Sequence, residues 1–194
     1  MKRMLLLFSF LIVATESLAA APLPGDSVYQ LPVKLTAQDG HQFTLSSRRG
    51  RVQVVSMFYT SCTMVCPLII DTMQLTAHAL DERSREGLDL LAVSFDPAHD
   101  DVATLHRYAK RRNLHSPPWT LVHAEPADVR KLAAVLGVRY RQAGDGEFNH
   151  TSELILLDAD GRIVARTTTI GRSDPGFVQA VRKALAAAPG SGPG

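Results

Sequence analysis

Two near-continuous apolar runs, Val52 to Tyr59 and Leu88 to Phe95, constrain this chain more than any other feature. A strand with one wet face alternates apolar and polar residues; a strand without alternation belongs in the middle of a sheet covered on both faces. Between the runs, from Pro67 to about Arg83, the apolar residues Leu68, Ile69, Met73 and Leu80 recur at roughly helical spacing. Strand, helix and strand therefore follow one another, and the first strand ends against the heptapeptide Ser61-Cys62-Thr63-Met64-Val65-Cys66-Pro67.

The rest of the chain extends that pattern. Val33 to Thr36 and Gln42 to Leu45 flank Gln38-Asp39-Gly40-His41, and Asp-Gly between short alternating segments marks a hairpin. Arg48-Arg49-Gly50 turns the chain into the first long strand. Asp100-Asp101 opens a helix bearing Val102, Leu105 and Ala109, and Thr120 to Val122 is a short strand. A helix begins at Pro126, carries Val129, Leu132, Ala133 and Leu136 inward, and stops at Gly137. Glu153 to Leu157 and Arg162 to Thr168 form a second hairpin, and Ser173-Asp174-Pro175 starts a last helix with Phe177, Val181 and Leu185 inward. There are no repeats and no linker. The reading is α/β, a thioredoxin-like sandwich: a mixed central sheet flanked by helices, with an N-terminal β-hairpin, spanning residues 26–188. The Gly/Pro/Ser-rich tail, residues 189–194, is expected to be disordered.

Ahead of the domain, Met1-Lys2-Arg3-Met4 is basic, Leu5 to Ala14 is apolar, and Ser17-Leu18-Ala19-Ala20-Ala21 is small. Ten such residues span about 15 Å as a helix, roughly half of a bilayer's hydrocarbon core. Residues 1–19 therefore read as a secretory signal peptide, with an uncleaved anchor as the alternative. The protein is expected to be exported to the cell envelope or periplasm and to be membrane-proximal. The 21 Lys and Arg nearly balance the 19 Asp and Glu. Lys110-Arg111-Arg112 suits a helix C-terminus, so no nucleic-acid partner is expected.

Cys62 and Cys66 are the only cysteines. At a strand-to-helix junction the helix N-terminus presents unpaired N–H groups and partial positive charge, which favour thiolate, the form that attacks disulfides and binds soft metals. A structural disulfide is the weak alternative, because so small a loop removes little entropy from the unfolded chain. Cu(I) favours thiolates and accepts imidazole, so a third ligand decides between metal and redox chemistry. Of seven histidines, His150 is the best placed: Phe148-Asn149-His150-Thr151 leads into the strand Glu153 to Leu157, where a loop can reach the loop leaving a neighbouring strand.

In order, Phe58-Tyr59-Thr60-Ser61-Cys62, the Cys-x-x-x-Cys-Pro of Cys62 to Pro67, Val93-Ser94-Phe95-Asp96-Pro97, Trp119-Thr120, and His150 before Leu157-Asp158-Ala159-Asp160-Gly161 resemble the Sco (SenC) family of copper chaperones. The resemblance implies a thioredoxin-like fold and a copper ion held by Cys62, Cys66 and His150. It also implies help in building the dinuclear copper centre of cytochrome c oxidase, with a copper-accepting apo-subunit as partner. Three departures stand out. Thr63 and Met64 follow the first cysteine where the family commonly has proline and often an acidic residue, and Asn149 precedes the histidine where the family often has aspartate. Lack of that carboxylate is expected to leave the imidazole less well oriented. Met64 offers a thioether, and Asp96 lies in a family segment near the site.

Two other readings stand beside copper. In a thiol-disulfide oxidoreductase, Cys62 attacks a partner's disulfide and Cys66 resolves it. Dedicated thioredoxin-type enzymes resemble one another in a Cys-x-x-Cys pair and a proline before the facing strand, and this chain has neither. A peroxiredoxin-like peroxidase needs a different spacing between threonine and cysteine. Copper binding and redox are not exclusive, since a disulfide between Cys62 and Cys66 abolishes the copper site.

Overall fold

The computed structural model describes residues 21–115, 118–143 and 147–189. The segment expected to be a signal peptide, residues 1–19, and the expected tail after Pro189 lie outside them. Within them, β1 (Lys34–Ala37) and β2 (Gln42–Thr44) form the first hairpin, with Gly40 at φ +86° making the turn. The two apolar runs become β3 (Val52–Phe58) and β4 (Leu88–Ser94), joined through helices α1 (Val65–His78) and α2 (Glu82–Glu86). Helix α3 (Val102–Arg111), strand β5 (Trp119–His123) and helix α4 (Pro126–Leu136) follow. The chain closes with β6 (Tyr140–Gln142), β7 (Phe148–His150), β8 (Leu154–Leu157), β9 (Ile163–Thr167) and α5 (Pro175–Ala187).

One mixed sheet has the order β2-β1-β5-β4-β3-β8-β9, and β6 pairs with β7 as a separate ribbon. Strands β3 and β4 run parallel, from Val52 opposite Leu88 to Phe58 opposite Ser94, and β4 is parallel to β5; the remaining pairs are antiparallel. All seven positions of β3 and of β4 are buried, as their lack of alternation requires. Since β3, β4 and β5 step in one direction, right-handed crossovers place α1 and α3 on one face. Arg112 at the end of α3 donates to the Pro67 carbonyl and pairs with Asp71 on α1. The C-terminal segment ties to the same helix and its cap: the Gly171 N–H, ahead of α5, donates to Thr72 Oγ1 at 2.8 Å, and Arg182 on α5 to the carbonyl of Ala79, the C-cap of α1, at 2.6 Å. On β3, Gln53 points to the opposite face from Val52 and Val54, and donates there to the hydroxyl of buried Tyr29.

Three local differences have physical causes. The helix read from Pro67 to about Arg83 begins two residues earlier and ends at His78. The Asp81 carboxylate then accepts the Ser84 N–H at 2.9 Å and starts the short helix α2, so a cap interrupts what periodicity alone joins. The segment around His150 is not a loop but β7, which alternates half-buried, exposed, half-buried over only three residues, too few to betray a strand in the sequence. Among the described residues, no helix is long and apolar enough to cross a membrane.

Candidate metal centre

Strand β3 ends at Phe58, and the chain must turn at once to start α1 at Val65. Asp100, 1% exposed, holds that turn: it accepts the Thr60 N–H at 3.0 Å, the Thr60 hydroxyl, and the Ser94 hydroxyl at 2.5 Å. Burial pushes the Asp100 carboxyl above its ordinary value, and the bonds from Ser94 and Thr60 only partly counter this. The cysteine loop thus hangs between the end of β3 and the end of β4.

Met64 occupies the N-cap of α1 and its side chain caps nothing. The Cys62 sulfur does so instead, accepting the Cys66 N–H at 3.4 Å. Burial pushes the Cys62 thiol up, yet the Cys66 N–H, the Cys66 thiol and the N–H groups of Met64 and Val65 bring it to a net value below the ordinary one. Cys66 has the opposite fate. It is 0% exposed, and burial pushes its thiol far up, with the neighbouring Cys62 adding to the rise and the Tyr59 N–H opposing it. Both thiols are free.

His150 closes the third side. The β6–β7 register sets Tyr140 opposite His150, and the ring packs on Phe95 with centroids 4.8 Å apart and edge-on to Tyr59 at 6.3 Å. Phe148, Tyr140, Phe95 and Tyr59 form a continuous aromatic bed beneath it. His150 Nδ1 lies 3.1 Å from the Thr151 carbonyl oxygen, and Nε2 lies 3.7 Å from Cys66 Sγ. A carbonyl can only accept, so Nδ1 carries the proton and Nε2 turns its lone pair towards the sulfur. Burial lowers the imidazole's basicity, opposed by the Thr151 contact, and keeps the ring neutral. The second partner that orients a metal-binding histidine is therefore present as a backbone carbonyl, which replaces the carboxylate missing at Asn149.

The expected trio is thus assembled from three elements: the loop after β3, the first turn of α1, and β7. Among the described residues, no three His, Cys, Asp or Glu side chains already enclose one point. The donors are neighbours, not a closed cage. Two sulfurs and one nitrogen without a carboxylate suit a soft ion. Met64 is 82% exposed, which excludes a core role. Asp96 pairs with His99, its oxygens 2.9 Å from Nδ1, and accepts no bond from the thiols or the imidazole. Sequence reasoning missed Tyr59 and Asp100 as supports; the Ser94–Asp100 bond joins residues whose chemistry gives no signal until the strand ends are adjacent.

A mixed sheet flanked by helices, with paired cysteines where a central strand meets a helix and a histidine facing them, defines a thioredoxin-like protein with two thiols and an imidazole side by side. Its relatives make the assignment specific: the chain belongs to the SCO1/SenC family, whose pattern matches residues 23–186. The SCO1 protein homolog of Bacillus subtilis is 25% identical over 141 residues, which cover 69% of this chain and 70% of that one. Arabidopsis thaliana ScoI with copper bound superposes with a TM-score of 0.67 at 20% identity, over 78% of this chain and 96% of its own. BsSco, described as a member of the Sco family of cytochrome c oxidase assembly proteins with a disulfide switch, gives a TM-score of 0.63 at 19% identity, over 79% and 91%. At these identities the two structures establish the thioredoxin-like fold.

Proposed function

We propose that this protein is an exported copper chaperone that holds one copper ion through Cys62, Cys66 and His150 and passes it to an apo-subunit of cytochrome c oxidase. The observation that carries the reading is the orientation of His150: Nδ1 is committed to the Thr151 carbonyl, and Nε2 faces Cys66 Sγ at 3.7 Å. An unpolarised histidine on a protein surface has no reason to be so fixed. Copper in structural relatives and the oxidase-assembly role given for BsSco support the choice of cargo and recipient. Three soft donors release copper by exchange, each giving way to a donor of the recipient, so transfer needs no unligated ion. The basic and apolar N-terminus, Met1 to Ala14, supports export.

An oxidoreductase reading has no comparable support, since the group facing the buried thiol is an imidazole. The test is Cu(I) titration of the reduced protein against a chromophoric chelator. His150→Ala is expected to weaken binding at least tenfold; unchanged affinity and spectrum would overturn the site.

A further inference from the structure

Tyr59 stands between the cysteine loop and the histidine. It follows directly on β3, three residues ahead of Cys62, and its ring packs edge-on against His150 and Phe148. Its hydroxyl donates to Glu147 Oε2 and accepts the Phe148 N–H at 3.4 Å. Glu147 directly precedes β7, which Phe148 opens and His150 closes. A single phenol therefore bridges the strand end that launches the cysteines and the ribbon that presents the histidine.

That bridge has work to do. The β6–β7 ribbon has three residues in each strand and is not hydrogen-bonded to the main sheet, and an isolated two-stranded ribbon is marginal in water. The aromatic bed supplies contact area and preferred ring geometries, but no hydrogen bond that ties the ribbon to the strand end. A charge-assisted hydrogen bond is directional, and the one from Tyr59 to Glu147 is of that kind.

We propose that the Tyr59–Glu147 hydrogen bond is a clasp that fixes the distance between His150 and the cysteine pair, making both positioning residues for copper retention. This rests on the copper reading above. Neither residue needs to ligate metal; each acts through the placement of β7.

The experiment compares Tyr59→Phe, Glu147→Ala, Glu147→Gln and the double variant Tyr59→Phe/Glu147→Ala, with His150→Ala as reference. Cu(I) affinity is read by chelator competition, copper release by stopped flow, and the copper-free midpoint by urea unfolding. Tyr59→Phe and Glu147→Ala are each expected to weaken binding about tenfold, equivalent to about 1.4 kcal/mol, mainly through faster release. The double variant is expected to lose less than the sum of the two single losses, because the bond between the two residues is broken in each; Tyr59→Phe, which also leaves the Phe148 N–H without its acceptor, is expected to be the weaker of the two. Glu147→Gln, which keeps an acceptor oxygen, is expected to recover most of the affinity. Unchanged affinity in Tyr59→Phe while His150→Ala weakens binding overturns the clasp alone. Additive losses, or affinity that merely tracks the unfolding midpoint across all variants, also overturn it. An unaffected His150→Ala overturns the copper site itself and the clasp with it.

Discussion

Asp100→Ala removes the acceptor on which the turn before the cysteines depends, and its cost follows from what is left behind. The Thr60 N–H, 3.0 Å from one carboxylate oxygen, and the hydroxyl of Ser94, 0% exposed and 2.5 Å from the same oxygen, both lose their partner. An orphaned buried donor costs about 1–3 kcal/mol. Removing a buried carboxylate returns part of this, because the group is held ionised against the burial that pushes its pKa up. The net loss is about 2–4 kcal/mol, a fall in Tm of roughly 5–15 °C for a domain of this size. Urea unfolding of the copper-free protein measures it directly, and a loss under about 1 kcal/mol refutes the reasoning. Asp100→Asn supplies the pH test. A carboxyl whose folded pKa lies above its unfolded value binds protons more tightly when folded, so its contribution to stability grows as pH falls through that raised value towards the ordinary 3.8. Wild type is therefore expected to gain stability relative to Asp100→Asn over that interval. A difference that stays constant, or shrinks, removes the assigned cause.

Two further outcomes test the fold and the site separately. Gly161 has φ +79°, and a Cβ there would sit 2.5–2.8 Å from the ring of Tyr29, so Gly161→Ala is expected to cost about 2–5 kcal/mol from left-handed strain and overpacking. A urea midpoint close to wild type would refute that. One equivalent of iodoacetamide at neutral pH is expected to label Cys62 well ahead of Cys66. Cys62 is 7% exposed with its thiol lowered, and Cys66 is 0% exposed with its thiol raised. Equal labelling by peptide mapping would contradict the assigned asymmetry.

What the sequence disclosed, and what it hid, divides along the range of the interactions. Val52 to Phe58 and Leu88 to Ser94 announced themselves because burial on two faces leaves a continuous apolar run. Pro126 and Gly137 bounded α4 because a fixed φ and a left-handed cap are local properties of those residues. Cys62, Cys66 and His150 could be named from spacing and resemblance. The small ribbon that carries His150 could not, since its pairing of Tyr140 with His150 joins two tripeptides too short to show a period. The substitute for the absent aspartate was equally invisible. A backbone carbonyl is present at every residue, and only the turn at Thr151 aims one at Nδ1. The clasp joins positions 88 residues apart and lies wholly beyond local signals.

The sulfur of Cys62, serving as the cap of α1, has a consequence for what a bound ion would have to supply. In small zinc domains the metal supplies the folding free energy, and the empty chain is unfolded. Here the ordering of the loop from Cys62 to Cys66 is met by the helix N-terminus and by the packing of a wholly buried Cys66. Ordering a backbone costs about 1–2 kcal/mol per residue, and the ion is relieved of that cost. A site built in this way has its loop ordered by the fold itself, so whatever binds there meets donors already in place.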